Sequence, residues 1–347
     1  MSLAPRAFEP LPLGAIAPHG WLLDQLVRQA SSLSGYLSST QGVGSWFHGD
    51  SNVVNMTQWL GGPGWAQDHL DESDTWFPYW ADGNVPLLKL LNASDALGKL
   101  PDDLPLGALV DSYVNYILAN DVQSDGFIGH GGIWAPDSAL GEGGFQIVQA
   151  LTQWAEGRSA SDRRRVAKAV TAHLVREASL IVPASPSIVP ESWVFPRWPT
   201  FVRLVEYCVD SLLPEFGDDA SVVPLGRQKT TEVLVGAAHR FASLGMDWRR
   251  YYNGTAPSPR TGGKLFPAGA VPDWNLFDHG VNNAEGALRW PATLYRLNGS
   301  RADGLAAMRL VLGRLDEHQG QIQSLLCADE VLCGRSRTFD GLPRALR

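Results

Sequence analysis

Cysteine is scarce in this chain: Cys208, Cys327 and Cys333 are the three in 347 residues. That is too few for a disulfide framework of the kind that holds small secreted domains together. Positive charge is not in excess either. Lys and Arg number 28 against 36 Asp and Glu, and the net charge is −8. Without a concentrated basic patch to neutralise phosphates, nucleic acid is excluded as an expected partner. No apolar run reaches the roughly 20 residues that span a bilayer, so no membrane partner is expected. The opening MSLAPRAFEPLPLG has neither the basic head nor the apolar block of a signal peptide. Segments alternating with the two-residue period of strands are nearly lacking.

What is present describes a globular protein, with 44 % apolar and 18 % charged residues, long enough for one large domain or two to three average ones. Thirteen tryptophans stand out, and most fall in loop-like stretches or element ends, among them Trp46, Trp59, Trp65, Trp76, Trp80, Trp134, Trp193, Trp198 and Trp274. Tryptophan there suits stacking on the flat apolar faces of sugars, and large cores also use it. Asn55, Asn92, Asn253 and Asn298 each begin an Asn-x-Ser/Thr triplet. Such triplets arise by chance as well, so they point towards a secreted parent protein and leave the compartment unknown.

Helical periodicity recurs along the chain. From Pro18, HGWLLDQLVRQASSL puts Leu22, Leu23, Leu26, Val27 and Ala30 on one face. WFPYWADGNVPLLKLL predicts a second helix, and Leu104 to Asn120 a third with Leu109, Tyr113, Tyr116 and Ile117 inward. Phe145 to Trp154 and Arg163 to Ile181 follow; after Pro183, Pro186 and Pro190 come Trp198 to Leu213, Thr230 to Leu244 and Ala302 to Leu315. Between them, Ser34 to about Asp74 reads as an irregular loop, and Asp125-Gly126 with GFIGHGGIW as a glycine-rich return. Ser159 with Asp162, and Ser300 with Asp303, have capping-box spacing. Hairpins of helices, stacked as a solenoid or closed as a toroid, are the expected architecture.

The stretch DHGVNNAEGALRW, Asp278 to Trp290, joins a polar head to a helical apolar pattern of Ala284, Ala287 and Leu288, continued by Ala292 and Tyr295. Asn282 and Asn283 suit the first positions of a helix, which puts His279 in a loop at the helix mouth. Contact with a ligand and capping of a core helix fit these residues equally well.

FEPLPLGAIAPHGWLLDQ, TQWLGGPGW, YWADGNVPLLKLL, ANDVQSDGFIG, DHGVNNAEGALRWPATLYRLNGS and LDEHQGQIQSLLCADEVLCG occur in that order between residues 8 and 334. In wording and order they resemble the motifs of β-L-arabinofuranosidase-type glycoside hydrolases, family 127 and its relatives. The resemblance implies an all-α catalytic domain, an (α/α)₆ toroid, followed by β-sandwich modules; in this sequence the expectation is an incomplete toroid over residues 1–334, an off-pattern tail over 335–347 and no β-sandwich module. It implies Glu330 as the catalytic acid/base and His279 as a sugar contact. Trp80 and Asp82 then line the same pocket, and Asp329 and Asn283 join the substrate-binding set. The apolar neighbours Leu325, Leu326, Val331 and Leu332 favour a raised pKa for Glu330; a solvated acidic turn is the plainer reading of the same residues.

The resemblance also implies a zinc ion holding a thiolate nucleophile, supplied by a Glu-x-Cys segment and a later Cys. After Gly334 the sequence reads RSRTFDGLPRALR, with neither. Cys327 and Cys333 lack zinc-type spacing to other ligands and read as packing residues. The expectation is a C-terminally truncated glycoside hydrolase, incomplete in its toroid, without zinc or other cofactor and inactive as written, with a carbohydrate as its partner. A non-catalytic carbohydrate-binding remnant and another toroid sugar enzyme, a uronyl hydrolase or a lyase, are the alternatives.

Overall fold

A computed structural model describes residues 2–32, 73–102, 104, 106–120, 122–128, 142–185, 188, 194–253, 286 and 288–319. Among these the protein is all-α. The helices are α1 (Gly20–Ala30), α2 (Ser73–Ala93), α3 (Leu106–Asn120), α4 (Glu142–Ala155), α5 (Ala160–Leu180) and α6 (Trp198–Tyr207). They continue with α7 (Leu213–Phe216), α8 (Gly226–Leu244), α9 (Trp248–Tyr252), α10 (Trp290–Asn298) and α11 (Arg301–Gln319). One isolated antiparallel bridge, Val122 to Ile128, is the strand-like pairing among the described residues. The chain forms two compact units, one of Phe8–Glu177 with Ser211–Gln228, the other of Met1–Ala7, Ala178–Asp210 and Lys229–Arg347.

In the first of these units, α2 keeps its helix through Pro78 and Pro86. Each proline removes one backbone donor, so the carbonyl of Asp82, four residues before Pro86, loses its helical partner. Burial of Trp80, Val85, Leu87 and Leu91 outweighs that loss. The helix starts at Ser73, within the stretch expected to be loop. On α1, Leu23 and Ala30 are buried and Leu26 and Val27 half-buried, whereas Leu22 is exposed, so the apolar face is narrower than its sequence pattern. On α3 the buried face is Leu106, Val110, Tyr113, Val114 and Ile117, with Leu109 and Tyr116 at its margins. Asp111 of α3 accepts from Trp154 Nε1 at 2.7 Å and pairs with Arg158, whose guanidinium lies 4.5 Å from the Trp154 ring.

The turns follow the sequence signals. Ser159 Oγ accepts the Asp162 N–H at 3.2 Å and Ser300 Oγ that of Asp303 at 3.2 Å, capping α5 and α11. At the expected return, Gln123 N donates to Phe127 O and Gly126 N to Gln123 O, at 2.8 and 2.9 Å. Gly126 has φ +93°, and a Cβ there would stand 2.9 Å from the backbone of Ala172 on α5. Only glycine meets both conditions.

In the other unit, the expected helix Trp198 to Leu213 is interrupted. A π-turn, Cys208–Leu212, follows α6 before α7. The helix leading from the DHGVNN stretch turns inward on a different face from its apolar pattern. Leu288 is 65 % exposed and Ala292 exposed, while Trp290, Pro291, Thr293 and Arg296 are buried. Polar pairing explains the difference. Thr293 Oγ1 donates within its own helix, to Arg289 O or Trp290 O, and Arg296 pairs with Asp210 at 2.5 Å and Glu206 at 3.6 Å.

Candidate functional site

Asp82 and Trp80 are the two expected site residues that lie among the described ones. His279, Asn283, Asp329 and Glu330 fall outside them, so the expected convergence of all these residues on one cleft rests on positions beyond the description.

Trp80 and Asp82 sit on α2 but face different surroundings. Trp80 is 7 % exposed, and its ring meets Tyr113 edge-on at 5.1 Å between centroids. Around that pair a small apolar cavity is lined by Val85, Val110, Ile117 and Ile147 as well. Burial pushes the Tyr113 phenol above its ordinary pKa. Trp80 is thus a core residue beneath the Asp82 position. Trp154, Trp198, Trp248 and Trp290 are also buried, while Trp21 on α1 is 78 % exposed. The described tryptophans serve mainly the core, and Trp198, Trp248 and Trp290 each open a helix, at element ends as the sequence suggested.

The Asp82 carboxylate is half-buried and held from α4, which packs along α2. Gln149 Nε2 donates to both of its oxygens, at 2.7 and 2.9 Å. Asn84, one position beyond Gly83, is buried and donates from Nδ2 to Trp80 O at 2.8 Å. Its Oδ1 is enclosed and accepts no hydrogen bond among the described residues. Gln153 Oε1 on α4 is enclosed in the same way. Polar side chains thus run along the packed faces of α2 and α4. Enclosed acceptors of this kind are costly when unpaired. Sequence reasoning missed the α4 half. Its signal was there in GFQIVQALTQW, where Gln146, Gln149 and Gln153 recur at helical spacing on an otherwise apolar helix.

Elsewhere in this unit, His173 of α5 is fully buried, and its Nδ1 accepts the Ile128 N–H at 3.1 Å. Asp125 in the return loop accepts from Phe127 N at 2.9 Å and Arg176 Nε at 3.1 Å. The Phe127 bond first, then Arg176, holds its carboxyl below the ordinary value against the opposing effect of burial.

The other unit carries a charged cluster. Glu206 on α6 is 1 % exposed, accepts from Arg203 at 2.8 Å and faces Arg296; Asp210 on the π-turn pairs with Arg296 and, at 2.8 Å, with Arg6. Burial raises the Glu206 pKa, and the three arginines oppose that rise. The same arginines stitch the N-terminal segment down: Arg296 donates to Ala4 O, and Tyr295 OH to Pro5 O at 3.0 Å.

Among the described residues no group of three or more His, Cys, Asp or Glu side chains stands close enough to share a metal ion. Cys208, the first residue of the π-turn, is buried. Cys327 and Cys333, in the segment nearest to the zinc ligands that the resemblance implies, lie outside the described residues. No described helix is long and apolar enough to cross a membrane. Compared with family models, with curated proteins and with solved structures, the chain finds no match in any of the three.

Proposed function

We propose that this chain is a carbohydrate-active protein of the β-L-arabinofuranosidase-type glycoside hydrolase lineage, built on an (α/α)₆ ring of helical hairpins. Its ligand is a furanoside or related sugar. Besides the ordered motifs, the observation that supports this reading is the Asp82–Gln149 pair. A half-buried carboxylate whose two oxygens both face one amide nitrogen is held in orientation as an acceptor. Vicinal hydroxyls are the donors that such an acceptor selects, and enclosed amide oxygens on the same two helices extend the polar line.

In this reading Asp82 binds sugar hydroxyls and Gln149 holds it in place, while Glu330 protonates the leaving oxygen. A glycosidase needs a second group across the scissile bond, and no described residue is assigned to that role. Zinc, where the lineage uses it, would hold a thiolate deprotonated. A non-catalytic sugar-binding protein is the second reading, favoured by the fact that the described polar groups orient and accept without forming an acid–nucleophile pair.

The test is calorimetric titration of the 347-residue protein with an aryl β-L-arabinofuranoside, alongside its turnover. Binding that falls at least tenfold in Asp82→Ala, with the helical signal and melt retained, is expected. Equal affinity in parent and variant would overturn the role of Asp82. Turnover abolished in Glu330→Gln selects the enzyme, and binding without turnover selects the binding protein.

A further inference from the structure

Eleven asparagines are present, and four of them have Ser or Thr two positions on. Ser and Thr together make up about a ninth of the chain, so about one such triplet is expected by chance. Two of the four, Asn92-Ala93-Ser94 and Asn298-Gly299-Ser300, lie wholly within the described residues. Both occupy the same structural place. Asn92 is in the last turn of α2 and Asn298 is the last residue of α10, and both side chains are exposed. By contrast Asn84, in the middle of α2 and without the triplet, is buried.

We propose that Asn92 and Asn298 are N-glycosylation sites, each displaying its glycan from the C-terminal end of a helix. At Asn298, Gly299 takes the left-handed conformation at φ +70°, and the Asn298 Oδ1 accepts the Ser300 N–H at 2.8 Å. Nδ2 donates to Asp303 Oδ2 at 3.0 Å. A glycosylated amide keeps its carbonyl and one N–H, so both contacts are compatible with a sugar on the remaining valence. At Asn92 the chain leaves the helix through bonds from Asp95 N to Asn92 O and Ala96 N to Leu91 O, at 3.1 and 2.9 Å. Ser94 Oγ donates to Pro18 O at 3.0 Å, which fixes the turn. Neither side chain needs to move for a bulky polar group to stand in solvent.

The donor is a lipid-diphosphate-linked oligosaccharide used by a glycosyltransferase. The amide nitrogen forms a bond to the anomeric carbon as the bond from that carbon to the phosphate oxygen breaks. The lipid diphosphate leaves with the bonding pair, and one amide proton passes to solvent. No redox change occurs.

The test expresses the full chain behind a secretory leader in a eukaryotic host and maps its peptides before and after peptide N-glycosidase treatment of the folded protein. The expected result is glycan on both peptides, released without denaturant and leaving Asp at positions 92 and 298. Asn92→Gln and Asn298→Gln each remove one mobility step and leave the melting transition in place; glutamine keeps an amide acceptor and an amide donor for the groups around Asn298. Bare asparagine at either position in the secreted protein overturns that site, and so does release of its glycan only after unfolding. These outcomes are independent of whether the protein binds a sugar through Asp82.

Discussion

Nδ1 of His173 accepts the backbone N–H of Ile128 at 3.1 Å, and this bond sets the protonation state of the imidazole. With Nδ1 as acceptor, the ring is neutral and its proton sits on Nε2, which is packed against Gly144. Burial, with Arg176 adding to it and Asp125 opposing, lowers the pKa from 6.5 to about 3. The unfolded chain therefore binds a proton that the folded protein refuses. Stability from this group is complete above pH 6.5 and is lost as pH falls towards 3, by up to about 1.4 kcal/mol per pH unit. Urea melts at neutral and mildly acid pH should show that slope in the parent and a shallower one in His173→Asn, which keeps an acceptor and cannot be protonated. Equal slopes would dismiss the histidine as the source.

Gly126→Ala should destabilise the protein by more than the roughly 1–3 kcal/mol of backbone strain alone. Its φ of +93° is strained for alanine, and the added methyl meets the Ala172 carbonyl at 2.9 Å. Equilibrium denaturation measures the loss; a change under about 0.5 kcal/mol, the range of an ordinary surface substitution, would show that the loop can leave α5 freely.

The helices were legible in the sequence because apolar spacing reports burial, and caps such as Ser159 and Ser300 report helix starts. Two features escaped for physical reasons. Helix α10 buries Arg296, whose pairing with Glu206 and Asp210, distant in the chain, no local pattern records. The π-turn at Cys208–Leu212, which interrupts the expected Trp198 to Leu213 helix, escaped because one extra residue in a turn leaves no mark in the local apolar pattern. Of the candidate site, Trp80 and Asp82 were singled out by resemblance, and Trp80 turns out to pack in the core. Gln149 was not, since a glutamine on an apolar helix gains its role only when α4 lies along α2.

Arg296→Met should cost up to about 3–5 kcal/mol, because it takes one of the arginines beside the buried Glu206 carboxylate, leaving Arg203 there, and one from Asp210. Adding Glu206→Leu should recover part of that loss, since a buried pair replaced on both sides by apolar groups is close to neutral. A double-mutant cycle on denaturation free energies checks it. Strictly additive losses would show that the two residues do not depend on each other.

Gln149→Glu tests how Asp82 is held. The parent amide donates to both Asp82 oxygens, at 2.7 and 2.9 Å, and asks nothing in return. A glutamate there has no donor to offer and sets a second carboxylate at the same distance. Two carboxylates that close cannot both ionise, so one of them keeps a proton to a raised pKa. A raised folded pKa means stability that is present at acid pH and lost as pH rises through it. The variant should thus approach the parent's stability in acid and fall below it by about 1–3 kcal/mol at neutral pH, the cost of an unsatisfied or repelled buried polar group. Sugar affinity should fall with it, since a carboxylate that shares a proton with its neighbour no longer points both oxygens as acceptors. Gln149→Met separates the two effects, because it removes the donor without adding charge: affinity should drop while the new pH dependence does not appear. A variant series in which stability shows no dependence on pH beyond the parent's would mean that the Asp82 carboxylate turns away from α4, and that the pair does not fix it.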